Sequence, residues 1–121
     1  MREAFVHEAI LDMDPDADIR APGAAVTLEL CGQWNHEPPC PLAEHHTAAE
    51  RTGRDVQVRI LFATEPELAE EARLGIERAL SAGSLAGADG STTRWLVRQS
   101  IAGAVAPADV NRARRLSRGS A

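Results

Sequence analysis

Apolar and polar residues alternate most cleanly over Asp55-Val-Gln-Val-Arg-Ile-Leu-Phe-Ala63. Val56, Val58, Ile60 and Phe62 fall on one side, Gln57 and Arg59 on the other. A period of two over this length predicts a strand with one buried face. Residues 3–11 mix apolar and polar positions over a strand-sized length with Phe, Val and Ile present, and read as a second strand, although Ala and Glu also suit a helix. In Ala24-Ala-Val-Thr-Leu-Glu-Leu-Cys31 the alternation returns, with Val26, Leu28 and Leu30 opposite Ala25, Thr27, Glu29 and Cys31. This predicts a strand that Cys31 leaves on its polar side. Thr92–Ser100 reads as a fourth strand, pairing Trp95 and Val97 against Arg94, Leu96 and Arg98.

Helical spacing dominates elsewhere. Thr64 and Glu67 have the spacing of a capping box, and Leu68, Ala72, Ile76, Ala79 and Leu80 form an apolar stripe that Gly83 ends, so a helix is predicted over about 65–82. Gly75 inside it predicts close packing. Pro41 followed by Leu42–Arg51 and Gly53 reads as a short helix, with Leu42, His45, His46 and Ala49 on one face. Residues 107–118 read as a terminal helix with Val110, Ala113 and Leu116 on one side and Arg112, Arg114, Arg115 and Arg118 around them; 83–92 and 101–106 read as connections.

In chain order this predicts the α+β class: a small antiparallel sheet of about four strands in the order β-β-β-α-β. One long helix packs on a face, and a Cys/His-rich loop plus short helix is inserted after the second strand. One domain is expected over 1–105, with the insertion at 31–53 and a basic helix or tail over 106–121. A ferredoxin-like arrangement needs a helix between the first two strands, where the chain offers Asp12-Met-Asp-Pro-Asp-Ala-Asp18. That loop copies the first three ligand positions of a calcium-binding EF-hand. It carries Ala17 where the motif needs Gly and Gly23 where it needs Glu, so it reads as a solvated acidic turn.

Length and composition narrow the class. At 121 residues and 44% hydrophobic the chain can bury a core without a staple. No apolar run is long enough to span a bilayer, and Glu3 and Glu8 interrupt the N-terminal segment, so the expected location is the cytoplasm. Arg supplies every basic side chain and Ala is abundant, a bias expected of a high-GC bacterial genome. Residues 1–50 carry two Arg against ten acids and residues 51–121 eleven Arg against eight, or −8 and +3. The front half is therefore a poor nucleic-acid surface, and the basic terminal helix lacks aromatics, so nucleic acid and membrane are not expected partners.

Candidate chemistry concentrates in Cys31-Gly-Gln-Trp-Asn-His-Glu-Pro-Pro-Cys-Pro-Leu-Ala-Glu-His-His46, which holds both cysteines and three of the four histidines. Thiolate and imidazole suit borderline-soft metals. Cys31, His36, Cys40 and one of His45 or His46 would make a closed four-coordinate set for zinc, with copper(I) second, in a structural or sensing role. Pro38, Pro39 and Pro41 stiffen the loop around Cys40, and Trp34 would pack it down. The spacing matches no standard zinc finger. In a reducing compartment the cysteines are otherwise free thiols, and in an oxidising one a Cys31–Cys40 disulfide competes. Two alternatives stand beside the metal site: a metal-independent protein-interaction or regulatory module, and a metal-assisted hydrolase with Glu37 or Glu44 as general base. His7, on a separate strand, is expected to be packed or exposed and to take no part.

Overall fold

A computed structural model describes residues 2–31, 44–87 and 90–118. The α+β class and the four-stranded antiparallel sheet are as predicted, and two elements exchange identity. The order is β1 (Glu3–Asp12), α1 (Ala21–Cys31), β2 (Glu44–Thr52), β3 (Asp55–Thr64), α2 (Ala69–Ser81), a short pair β4 (Ser84–Ala86) and β5 (Thr92–Arg94), β6 (Leu96–Gly103) and α3 (Val110–Arg118). The main sheet runs β2-β3-β1-β6, every neighbour antiparallel. With a helix joining β1 to β2 and another lying between β3 and β6, this is the split βαβ arrangement of ferredoxin-like domains.

The predicted strand over 24–31 is helix α1. Val26 and Leu30 are four apart and so satisfy a period of two and a period of 3.6 alike. Ala21 and Ala25 decide between them, being buried on the same side as Val26 and Leu30, as only a helix allows. Pro22 sits in the first turn, where its missing N–H costs nothing. Asp18 accepts the Arg20 N–H through its side chain and the Ala21 N–H through its carbonyl, so the acidic loop shapes the entry to the missing helix.

From Glu44 onward the predicted helix over 42–51 is strand β2, which pairs with β3 from Glu44 opposite Ala63 to Thr52 opposite Asp55. Its alanines and glutamate favour a helix, but a long ladder beside the best strand outweighs propensity. Gly53, read as a helix stop, turns the β2–β3 hairpin at φ 64°.

Helices α1 and α2 cover one sheet face. Between them and the sheet lie Leu11, Val26, Leu30, Phe62, Ile76, Leu80 and other buried residues. Gly75 is where the two helices approach: a Cβ there would lie 3.3 Å from Glu29 Cγ and 3.5 Å from Leu30 Cδ2, as its placement predicted. The helix start shifts by one residue, with Glu65 and not Thr64 at the N-cap position. Thr64 ends β3, and a single 3-10 turn at Pro66–Leu68, without a side-chain cap, leads into α2.

Trp95 interrupts the predicted strand 92–100. It separates β5 from β6 and is buried in the core, while Val97 is exposed. Beyond Ser100, β6 continues to Gly103 where a linker was expected. On the other sheet face α3 covers one end only, packing Ala113 and Leu116 on Ala4, Val6 and Leu61. No described helix is long and apolar enough to cross a membrane.

Candidate functional site

The metal centre is not supported. His45 and His46 are consecutive residues of β2 and point to opposite faces of the sheet, where a helix would have kept them together. His45 Nε2 meets Thr27 Oγ1 of α1 at 2.9 Å on one side. On the other, Arg112 of α3 donates to His46 Nδ1 at 3.4 Å; burial, then the Arg112 charge, lowers the His46 pKa. Cys31 ends helix α1, so its exit from the polar side of a strand also falls away. Among the described residues no group of three or more His, Cys, Asp or Glu could hold a metal ion. His36, Cys40 and Glu37 lie outside the described residues, as do Trp34 and the three prolines. Glu44 opens β2. The zinc or copper(I) reading is therefore withdrawn, and with it the metal-assisted hydrolase.

His7, set aside by the sequence, is buried and held by hydrogen bonds on both ring nitrogens. Its ring is 1% exposed, inside the sheet beneath α2. His7 Nε2 lies 2.7 Å from Ser100 Oγ on β6, and Arg73 Nη1 lies 3.3 Å from His7 Nδ1 while donating to the Val6 carbonyl at 2.8 Å. A guanidinium can only donate. Nδ1 must therefore hold a lone pair, and the proton of the neutral ring sits on Nε2, donated to Ser100. The pair resembles a nucleophile with its base, but the proton is on the wrong nitrogen for that work. It is a tie between β1, β6 and α2, and Arg73 is further held over the rings of Phe5 and Phe62.

Protonating His7 would aim a second N–H at Arg73, and burial, then the Arg73 charge, lowers its pKa from 6.5; Glu77 and Glu8 oppose this only in part. The unfolded chain therefore binds this proton more readily than the folded one. The stabilisation is complete above about pH 6.5 and is lost as pH falls from there through the lowered folded value. Urea midpoints measured from pH 7.5 downward are expected to decline below that point, and the decline should be shallower in His7→Gln. Equal slopes in the two proteins would refute the assignment.

The half of the sheet's second face that no described element covers presents a different surface. Cross-strand rows place Ile10 between Gln57 and Gln99, and Glu8 between Arg59 and Ile101. These six residues line a recess of about 180 Å³. Arg59 closes one end. It donates to Asp109 at 2.6 Å, to the Ala104 carbonyl at 2.7 Å and to Glu8 at 3.4 Å. The Ala106 N–H, and then Arg59, hold the Asp109 carboxyl below the usual carboxylate range.

Ile101, which lines this recess, belongs to a stretch of chain rich in exposed aliphatics. Leu96 is 72% exposed, Ile101 45%, and Val97, Val105 and Val110 are also exposed. Of the large exposed aliphatics among the described residues, only Leu74 lies outside residues 96–110. Such concentration marks contact surfaces, where scattered apolar residues would not. Strand β6 is also a sheet edge, with β1 on one side and no strand on the other among the described residues. Its one charged residue, Arg98, is drawn back onto Asp12 at 3.2 Å and Asp55 at 3.4 Å.

The acidic turn is largely neutralised from within, Asp14 by Arg54, Asp18 by Arg20, and Asp12 by Arg54 and Arg98. No protein-family model, curated protein or solved structure matches the chain.

Proposed function

We propose that this domain is a protein-interaction module whose partner lays an extended segment along the outer edge of β6 and over the uncovered half of the sheet. One observation carries the reading: the exposed aliphatics gather on and beside an edge strand that no other described strand pairs. An edge offers a row of backbone donors and acceptors that another strand can complete, and natural edges are usually blunted by charge. The opposite edge, β2, has Glu50 and Arg51 in its sequence, whereas β6 turns its one charge inward. Leu96, Val97 and Ile101 would supply apolar contact, and Gln57, Gln99 and the Glu8–Arg59 pair would fix orientation.

Site-specific photo-crosslinking tests this. A photoreactive residue at position 96 is expected to give a discrete adduct in cell extract, with β6 amides protected from hydrogen exchange in the isolated complex, while position 74 on α2 gives none. Equal yields at the two positions, or adducts without β6 protection, would sink the proposal.

A further inference from the structure

The segment that fits this edge best is β6 itself, and we infer that a second copy of the chain pairs there, antiparallel, about a two-fold axis at Ile101. The inference rests on the interaction surface proposed above and names its occupant. A two-fold contact brings a patch onto itself, so every residue must tolerate its symmetry mate. Most of this surface would not, since the chain carries a net charge of −5.

The β6 edge is the exception. Between Leu96 and Gly103 the one charge is Arg98, and its guanidinium is already matched by Asp12 and Asp55 of the same chain. Arg54 pairs with Asp12 and Asp14 of the same group, so two arginines face three aspartates there and one negative charge is left over. Within the strip, Gln99–Gly103 carries no charged side chain, so no like charge of the segment faces its own copy.

Register selects the axis. The ladder between β1 and β6 shifts between Ile10 and Leu11, where Gln99 and then Val97 are the partners, so the regular part of β6 is Gln99–Gly103. Its central residue is Ile101. Antiparallel pairing about that centre sets Ile101 against Ile101 of the other copy, Gln99 against Gly103 and Ser100 against Ala102. Each larger side chain meets a smaller one except at the centre, where two exposed aliphatics cover each other. The axis stands perpendicular to the sheet, so both Ile101 side chains lie on the same face. The product is one continuous eight-stranded sheet with the helix pairs on one side and the two recesses side by side on the other.

Sedimentation equilibrium on the purified full chain provides the test. The wild type is expected to be a concentration-dependent dimer. Ile101→Lys should weaken it about tenfold or more, equivalent to ~1.4 kcal/mol, with an unchanged far-UV spectrum. Leu74→Lys, a charge added to the other exposed aliphatic, should leave the dimer intact. Amides of 99–103 should exchange more slowly as concentration rises. A wild-type chain that stays monomeric at its solubility limit overturns the second-copy inference, as does a dimer that Ile101→Lys and Leu74→Lys affect equally. Either result leaves the crosslinking test of the wider proposal to stand or fall separately.

Discussion

Replacing Trp95 by alanine is expected to destabilise the domain by about 3–5 kcal/mol, the range for truncating a buried aromatic. Its ring is 4% exposed within the main core. The residue also finishes α2. Trp95 Nε1–H donates to the Leu80 carbonyl at 2.8 Å, sharing that acceptor with the Gly83 N–H, and the Trp95 N–H donates to the Gly83 carbonyl at 2.9 Å. Gly83 makes this possible at φ 72°, with its Cα side pressed so close to the Trp95 carbonyl that a Cβ would lie 3.0 Å away. One side chain thus caps a helix, fills the core and fixes where β6 begins. Trp95→Phe keeps most of the burial and gives up one hydrogen bond, for an expected loss of about 1–2 kcal/mol. Urea unfolding of both variants should rank them in that order, and equal losses would show that the indole N–H, not the volume, dominates.

Arg59→Ala is expected to cost about 2 kcal/mol, the scale for losing hydrogen bonds to a charged partner in a half-buried setting, and to act on α3 before the rest of the fold. Arg59 rises from β3 and grips Asp109 and the Ala104 carbonyl, the residues that lead into that helix. Asp109 also accepts the Ala106 N–H at 2.8 Å, so without Arg59 the turn before α3 loses its tie to the sheet. What remains on that side is a small contact of Ala113 and Leu116 with Ala4, Val6 and Leu61. Amides of α3 should exchange faster in the variant, and a fluorescent hydrophobic probe should bind as Val6 and Leu61 lose their cover. Wild-type protection of α3 in Arg59→Ala would place its anchor elsewhere. Arg59→Lys, with one point charge for two acceptors, should fall between.

Legibility in the sequence followed how many residues spoke for one period. In β3, Val56, Val58, Ile60 and Phe62 all agree, and the strand was evident; in α2 the stripe through Ile76 and Leu80 was equally plain. In α1 the two strongest residues, Val26 and Leu30, fit either period, and the vote fell to small alanines whose burial depends on what packs above them. In β2 the local preference was helical and the deciding partner, β3, was not a local feature. These two exchanges hid the ferredoxin-like order, because the helix it requires had been read as a strand. The metal site came instead from the density of Cys and His over 31–46, with His45 and His46 as alternatives on one helical face, and that shared face is lost in strand β2. The exposed strip of residues 96–110 was illegible for another reason: whether a strand is central or at an edge is set by topology, and strand β6 reads much the same in either place.

The interleaved strand order also bears on synthesis. The central strand β1 leaves the ribosome before both of its neighbours, β3, some fifty residues later, and β6, some ninety residues later. Until residues 96–103 emerge, a nascent chain already folded through α2 carries the open edge on β1, where Val6, Ala9 and Leu11 are among the most buried residues of the finished protein. The arrival of β6 hands that edge to a strand whose single charge is turned inward, so the last piece of the sheet both closes the interior and determines what the protein offers to other chains.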